Sequence, residues 1–160
     1  MAGQIEARLT ALGIMLPEAV APVANYVPAV RTGSLVVVSG QIPLSGGKPA
    51  FTGLMGRDLS LEDGQAAARL CGINLIAQLK AVCDGDLERV TRILRLGVFV
   101  AATPEFTDHP KVANGVSDLI GEVFGEAGRH ARAAVGCASL PLGVPVEVDA
   151  MVEVTQQYDW

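Results

Sequence analysis

Arg132 and Glu147 stand fifteen residues apart, with Asp149 and Glu153 following at alternate positions. Arginine presents a planar fork of N–H donors that grips a carboxylate through two parallel bonds, and it stays charged under all ordinary conditions. A small organic acid is its natural ligand. A glutamate held partly out of water has its pKa raised toward neutrality and can take a proton from water as a general base. Glu147 is the candidate base. The same residues admit another reading, in which Arg132 neutralises Glu147 or Asp149 in a structural ion pair, since such networks are common.

Other chemistries lack their marks. The two histidines, His109 and His130, lie at metal-ligand spacing from neither a cysteine nor each other, so no metal site is expected. His109 directly precedes Pro110 and reads as a helix-start residue, and His130 reads as a strand-edge residue. No G-x-G-x-x-G follows a strand, and neither a G-x-x-x-x-G-K-[ST] loop nor a G-x-S-x-G elbow occurs. Dinucleotide, P-loop and hydrolase-elbow functions are therefore set aside, and no cofactor is expected. Tyr26, Ser39, Gln41 and Asn114 remain as polar residues at strand and helix starts.

The elements that must position these groups are legible in the pattern. Val144, Val146, Val148, Ala150, Val152 and Val154 alternate with polar or mixed residues, which predicts a strand with one apolar face and its carboxylates on the other. A second run, 131–138, joins it through Ser139-Leu140-Pro141-Leu142-Gly143-Val144, which reads as a hairpin turn that carries Arg132 back toward the acids. Upstream, Ile5, Leu9 and Leu12 keep helical spacing until Gly13 and Pro17, giving a short helix or an arm. Residues 26–30 and 34–38 are strand-like around Arg31-Thr32-Gly33. Residues 44–58 read as a long loop, mobile in preference to a lid over a site.

Ser60 and Asp63 form a capping-box pattern before a helix over 61–83, whose face is Ala68, Cys71, Leu75, Leu79 and Val82. Gly85 stops it, and a strand over 90–100 follows with Leu94, Leu96, Val98 and Val100 on one face. A second helix starts near Pro110 and buries Val112, Val116, Leu119, Ile120 and Val123 before Gly125. The order strand, strand, helix, strand, helix, strand, strand predicts an α+β layer, two helices on one face of a mixed sheet. The uncovered face, carrying Glu147, Asp149 and, where the hairpin turns it that way, Arg132, with Ala134 and Met151 beside them, reads as a subunit interface with a polar cleft.

A chain of 160 residues, half of them apolar, fills one core, so a single domain over 1–160 is expected, with residues 1–20 as an N-terminal extension. Its formal charge of -5 offers no footprint for phosphate backbones, so nucleic acid is not expected as a partner. Cys71, Cys83 and Cys137 lack C-x-x-C spacing and read as reduced core residues. That usage, with no run of eighteen apolar residues and no signal-like start, points to a cytoplasmic protein without a membrane span.

Val38-Ser39-Gly40-Gln41-Ile42-Pro43, the segment around Pro104-Glu105-Phe106 and Asn114, and Ala131-Arg132-Ala133-Ala134-Val135 continuing through Leu140-Pro141 to Glu147-Val148-Asp149-Ala150 resemble the YjgF-type reactive intermediate deaminase (Rid) family. The resemblance runs from about residue 26 to 154. It implies a chorismate mutase-like fold, a homotrimer with a ligand cleft at each subunit boundary, and hydrolysis of unstable enamine or imine acids to 2-oxo acids and ammonia. On that resemblance Arg132 binds the substrate carboxylate and Glu147 positions water, while Tyr26, Ser39, Gly40, Asn114 and Ala134 line the pocket. Ala24-Asn25-Tyr26-Val27-Pro28 departs from the usual G-P-Y-S-Q, and Ala134 stands where many members carry cysteine or serine. Two other functions stay open: a trimeric binder or sensor of small carboxylates without turnover, and the endoribonuclease or translation-inhibitor activity that labels some members.

Overall fold

The computed structural model describes residues 3–19 and 24–156. Its elements, in order, are α1 (Gln4–Ala11), β1 (Ala29–Thr32), β2 (Leu35–Gln41), β3 (Leu44–Ser45), β4 (Lys48–Pro49), α2 (Leu61–Val82), β5 (Val90–Ala101), α3 (His109–Phe124), β6 (Ala131–Cys137) and β7 (Val146–Val154). The main sheet has the order β1-β2-β7-β5-β6. β6 runs parallel to β5 and every other pair in it is antiparallel, so the sheet is mixed as expected.

Local sequence explains the long helices. Ser60 Oγ accepts the Asp63 N–H at 3.1 Å while the Asp63 carboxylate accepts the Ser60 N–H at 3.4 Å, which closes the capping box at the start of α2. On α3 the stripe Val112, Val116, Leu119, Ile120 and Val123 is wholly buried, and Gly125 ends the helix at φ 60°. These stripes cover the sheet face made by Val36, Val38, Ile93, Leu96, Val98 and the even-numbered residues of β7. A third, short helix joins the layer, because α1 buries Ile5 and Leu9 and lies against α3. Arg8 Nη1 donates to the Val123 carbonyl at 3.1 Å and Glu6 pairs with Lys80 at 2.9 Å, so the N-terminal segment is fixed to both long helices.

α2 and α3 approach closely through glycine. A Cβ on Gly115 would strike the carbonyl of Gln65, and one on Gly72 would sit 2.8 Å from Leu119 Cδ2 and 2.9 Å from Val116 Cγ2. Backbone cannot rotate aside as a side chain can. Gly115→Ala is therefore expected to destabilise the protein by about 1–3 kcal/mol through overpacking. Urea unfolding at fixed protein concentration checks it, the midpoint falling with the slope unchanged; an unaltered midpoint would show that the helices slide apart freely.

Four expectations change. The run 131–138 is not a hairpin partner of β7, because β5 lies between them. Parallel pairing of β5 with β6 requires a crossover, and α3 supplies it, so the connection 139–144 spans the end of β5 through a short 3₁₀ turn with Leu142 at φ 59°. Leu94 leaves the core face, since the register slips between Ile93 and Arg95 and Ile93 takes the buried position. β1 begins at Ala29, so Tyr26 precedes the strand, while β2 continues to Gln41 past an irregularity between Val38 and Gln41. Segment 44–58 is tied down: it opens with the β3–β4 hairpin, and fully buried Met55 exchanges backbone bonds with Ala101 and Thr103 at 2.9 and 3.0 Å.

Among the described residues no helix lies over the second sheet face. Cross-strand register aligns Val30, Val37 and Met151 in one row and Val135, Phe99 and Glu147 in another, and the five apolar members are all exposed. Among the described residues no helix is long and apolar enough to cross a membrane.

Candidate functional site

Register decides where the two chemical groups point. Arg132 is level with Leu96 on β5, a buried residue of the helix-covered face, whereas Glu147 is level with Phe99 on the open face. Directly paired residues share a face. Arg132 and Glu147 therefore lie on opposite sides of one chain's sheet, and the expected return of Arg132 toward the acids does not occur.

Arg132 rests on α3. Its Nη1 donates to Asn114 Oδ1 at 2.9 Å and to Ser117 Oγ at 3.1 Å, and its Nη2 donates to the Pro110 carbonyl at 3.4 Å. Ala134, two residues on, shares that face and packs against the core. Among the described residues Arg132 forms no ion pair; Asp149 instead meets Arg95 at 3.7 Å, in space that a Cβ at Gly97 would fill. The structural ion pair of Arg132 with an acid of its own chain is thus not what the fold builds.

Glu147 faces a cavity of about 630 Å³ whose wall includes Tyr26, Ser39, Gly40, Leu70 and Ile73. Ser39 is fixed at the β2 irregularity by its N–H to Pro28 and its hydroxyl to Val27, both at 2.8 Å. Gly40 comes so close to Glu147 that a Cβ there would collide with Oε1. Asn74 on α2 holds the neighbouring wall, its Nδ2 donating to Ile42 and Leu44 carbonyls at 3.0 and 3.2 Å. Partial burial, reinforced by the negative charge of Asp149, raises the Glu147 pKa above the ordinary glutamate value. A raised carboxyl of this kind suits a base that must exchange protons with water. The charged groups lining the cavity, among the described residues, are Glu147 and Glu18, so one chain supplies no cation there for an acid ligand.

The structure thus gathers Tyr26, Ser39, Gly40 and Glu147 around one cavity and Asn114, Arg132 and Ala134 at another place, and it does not join the two groups within a chain. Sequence reasoning missed Ser117 and gave His130 no role, although Ser117 lies one helical turn beyond Asn114, on the face that meets Arg132. Met15 and Pro17 of the N-terminal extension also reach the cavity wall, which nothing in their local pattern signals.

A mixed sheet covered on one face by two long helices, with a half-buried carboxylate beside an irregular second strand, places the protein in the chorismate mutase-like α+β class. The chain belongs to the YjgF family: residues 6–154 match the family described as "YjgF/chorismate_mutase-like, putative endoribonuclease". It is 51% identical to protein TCP17 of Trypanosoma cruzi over 95% of both chains. The crystal structure of Atu1372, a protein of unknown function from Agrobacterium tumefaciens, matches with a TM-score of 0.88 and 52% identity over 94% of both chains. At 27% identity, over 88% of this chain and 94% of the other, it resembles a 2-iminobutanoate/2-iminopropanoate deaminase of Dermatophagoides farinae.

Proposed function

We propose that the protein is a hydrolytic deaminase of reactive enamine and imine acids, releasing a 2-oxo acid and ammonia. The observation that carries this reading is the division of the site. One face offers a cation held on neutral acceptors, and the opposite face offers a carboxylate of raised pKa beside an apolar-walled cavity that lacks a cation among its described lining. Each half lacks what the other supplies. A second copy that lays its β6 edge and α3 start against the exposed sheet face of the first brings Arg132 toward Glu147. A head-to-tail contact gives a ring when its rotation closes, and a homotrimer is the ring proposed. Val30, Val37, Phe99, Val135 and Met151 provide an exposed apolar patch for the contact.

In that cleft Arg132 binds the carboxylate of the imine acid and Glu147 takes a proton from water. The water oxygen bonds to the imine carbon, giving a tetrahedral carbinolamine; the nitrogen, reprotonated, departs as ammonia and the C=O bond forms. Because the substrate is already electrophilic, positioning supplies much of the rate gain. The relationship to a 2-imino acid deaminase supports the substrate class. The formal charge of -5 supports it over the endoribonuclease label carried by the family description.

The test is ammonia release from 2-iminobutanoate generated in situ by an amino-acid oxidase. The protein is expected to accelerate release over buffer and to sediment as a trimer. If the rates are equal while 2-oxobutanoate still raises the unfolding temperature, the protein is a carboxylate-binding module instead.

A further inference from the structure

The hydrogen bonds behind Arg132 form a chain whose direction can be worked out atom by atom. His130 Nδ1 lies 2.6 Å from the Gly128 carbonyl oxygen, and His130 Nε2 lies 2.9 Å from Ser117 Oγ. A carbonyl only accepts, so Nδ1 carries the proton, and in the neutral ring Nε2 is then an acceptor. The Ser117 hydroxyl must donate to it. Its oxygen is left with lone pairs alone, and Arg132 Nη1 fills one of them at 3.1 Å.

That polarity settles which part of the guanidinium is occupied. Nη1 spends both of its hydrogens, on Ser117 Oγ and Asn114 Oδ1, and Nη2 spends one on the Pro110 carbonyl. Among the described residues, Nε–H and the second Nη2–H remain without a partner. With the Pro110 carbonyl on the Nη2 hydrogen that faces the Nη1 end, the two lie parallel on one edge of the planar group, the geometry that meets both oxygens of a carboxylate. In that arrangement the Nε/Nη2 edge is left for a ligand while the Nη1 end is held on α3.

We propose that Ser117 and His130 are positioning residues for substrate binding: they lock the Nη1 end of Arg132 onto α3 and so present its Nε/Nη2 edge to the substrate carboxylate. The proposal rests on the reading of Arg132 as the carboxylate-binding group. Neither residue needs to touch substrate. With the serine removed, the guanidinium loses a fixed acceptor and its long side chain recovers rotamers that turn the binding edge away. With the histidine removed, the serine hydroxyl is free to rotate and to point its hydrogen at Arg132, a donor facing a donor.

Calorimetry with 2-oxobutanoate as the probe tests this on the full-length protein. Ser117→Ala is expected to weaken binding about tenfold, the scale of one hydrogen bond to a charged group. His130→Ala should weaken it in the same direction, and Ser117→Thr, which keeps the hydroxyl, should bind within about twofold of wild type, taken as the scatter of such comparisons. In the ammonia assay the effect of Ser117→Ala should fall on KM, with kcat nearly kept, because Glu147 and its water are untouched. A purely structural role would not divide the parameters in this way or be rescued by threonine. Independently of any substrate, nitrogen chemical shifts of the His130 ring should report the Nδ1–H tautomer. An Nε2–H tautomer, or equal affinities for wild type and Ser117→Ala, would overturn the relay. Absence of ammonia release with an affinity that still follows Ser117 would instead remove the deaminase reading and leave the relay standing.

Discussion

Arg132→Ala protein is expected to lose about 10²–10⁴-fold in kcat/KM for 2-iminobutanoate, since two charge-assisted hydrogen bonds to the substrate carboxylate disappear together. 2-Oxobutanoate affinity should fall in parallel. Arg132→Lys is expected to recover little, because an ammonium is a compact point charge that cannot engage Asn114, Ser117 and Pro110 at one end while holding a carboxylate bidentately at the other. The substitution should leave stability nearly unchanged, as Asn114 is exposed and no buried acid is left without its partner. Ammonia release, ligand calorimetry and thermal unfolding on the same preparations separate these effects. Undiminished kcat/KM in the alanine variant would place the carboxylate elsewhere.

Glu147→Gln should instead strike kcat, by about 10²–10⁴-fold, the range for losing a general base. Its shape is kept, so the close fit beside Gly40 survives. The base is the ionised carboxylate, so wild-type activity should rise with pH through the folded-state pKa of Glu147, which lies above the ordinary glutamate value. Burial is the first cause and the charge of Asp149 the second; Asp149→Asn should therefore move that limb to lower pH. The stability consequence has a definite sign. The native state holds the Glu147 proton more tightly than the unfolded chain does, so ionising it opposes folding. That opposition is absent well below the ordinary glutamate pKa, grows as pH rises, and is complete above the raised value. Glu147→Gln is accordingly expected to unfold at a higher temperature than wild type at neutral pH and at the same temperature in acid. An inactive variant with a lower unfolding temperature at neutral pH would mean that Glu147 supports the fold instead of opposing it.

These expectations depend on information that the chain carries at different ranges. The capping box at Ser60, the stripe from Val112 to Val123 and the alternation of β7 involve neighbours within one or two turns, and each was legible before any fold was known. The candidate residues of the proposed site also came from the sequence, Arg132 and Glu147 from their chemistry, and Tyr26, Ser39, Gly40, Asn114 and Ala134 from family resemblance. The Leu94 assignment failed because a one-residue register slip leaves composition and spacing unchanged and reverses only which side chain reaches the core. The hairpin assignment failed because 131–137 and 146–154 are adjacent in sequence, while pairing is settled by competition for the edges of β5.

The sequence by itself therefore determined the inventory: two amphipathic helices, a mixed sheet, one arginine and one glutamate suited to handling a small acid. Tertiary structure alone decided that these two groups face opposite ways, because the face on which a strand residue lies follows from its register with a distant partner. Arg132 is level with Leu96 and Glu147 with Phe99, and three positions along β5 reverse the side. That parity divides the proposed site into two halves and leaves Arg132 on Ser117 and Asn114.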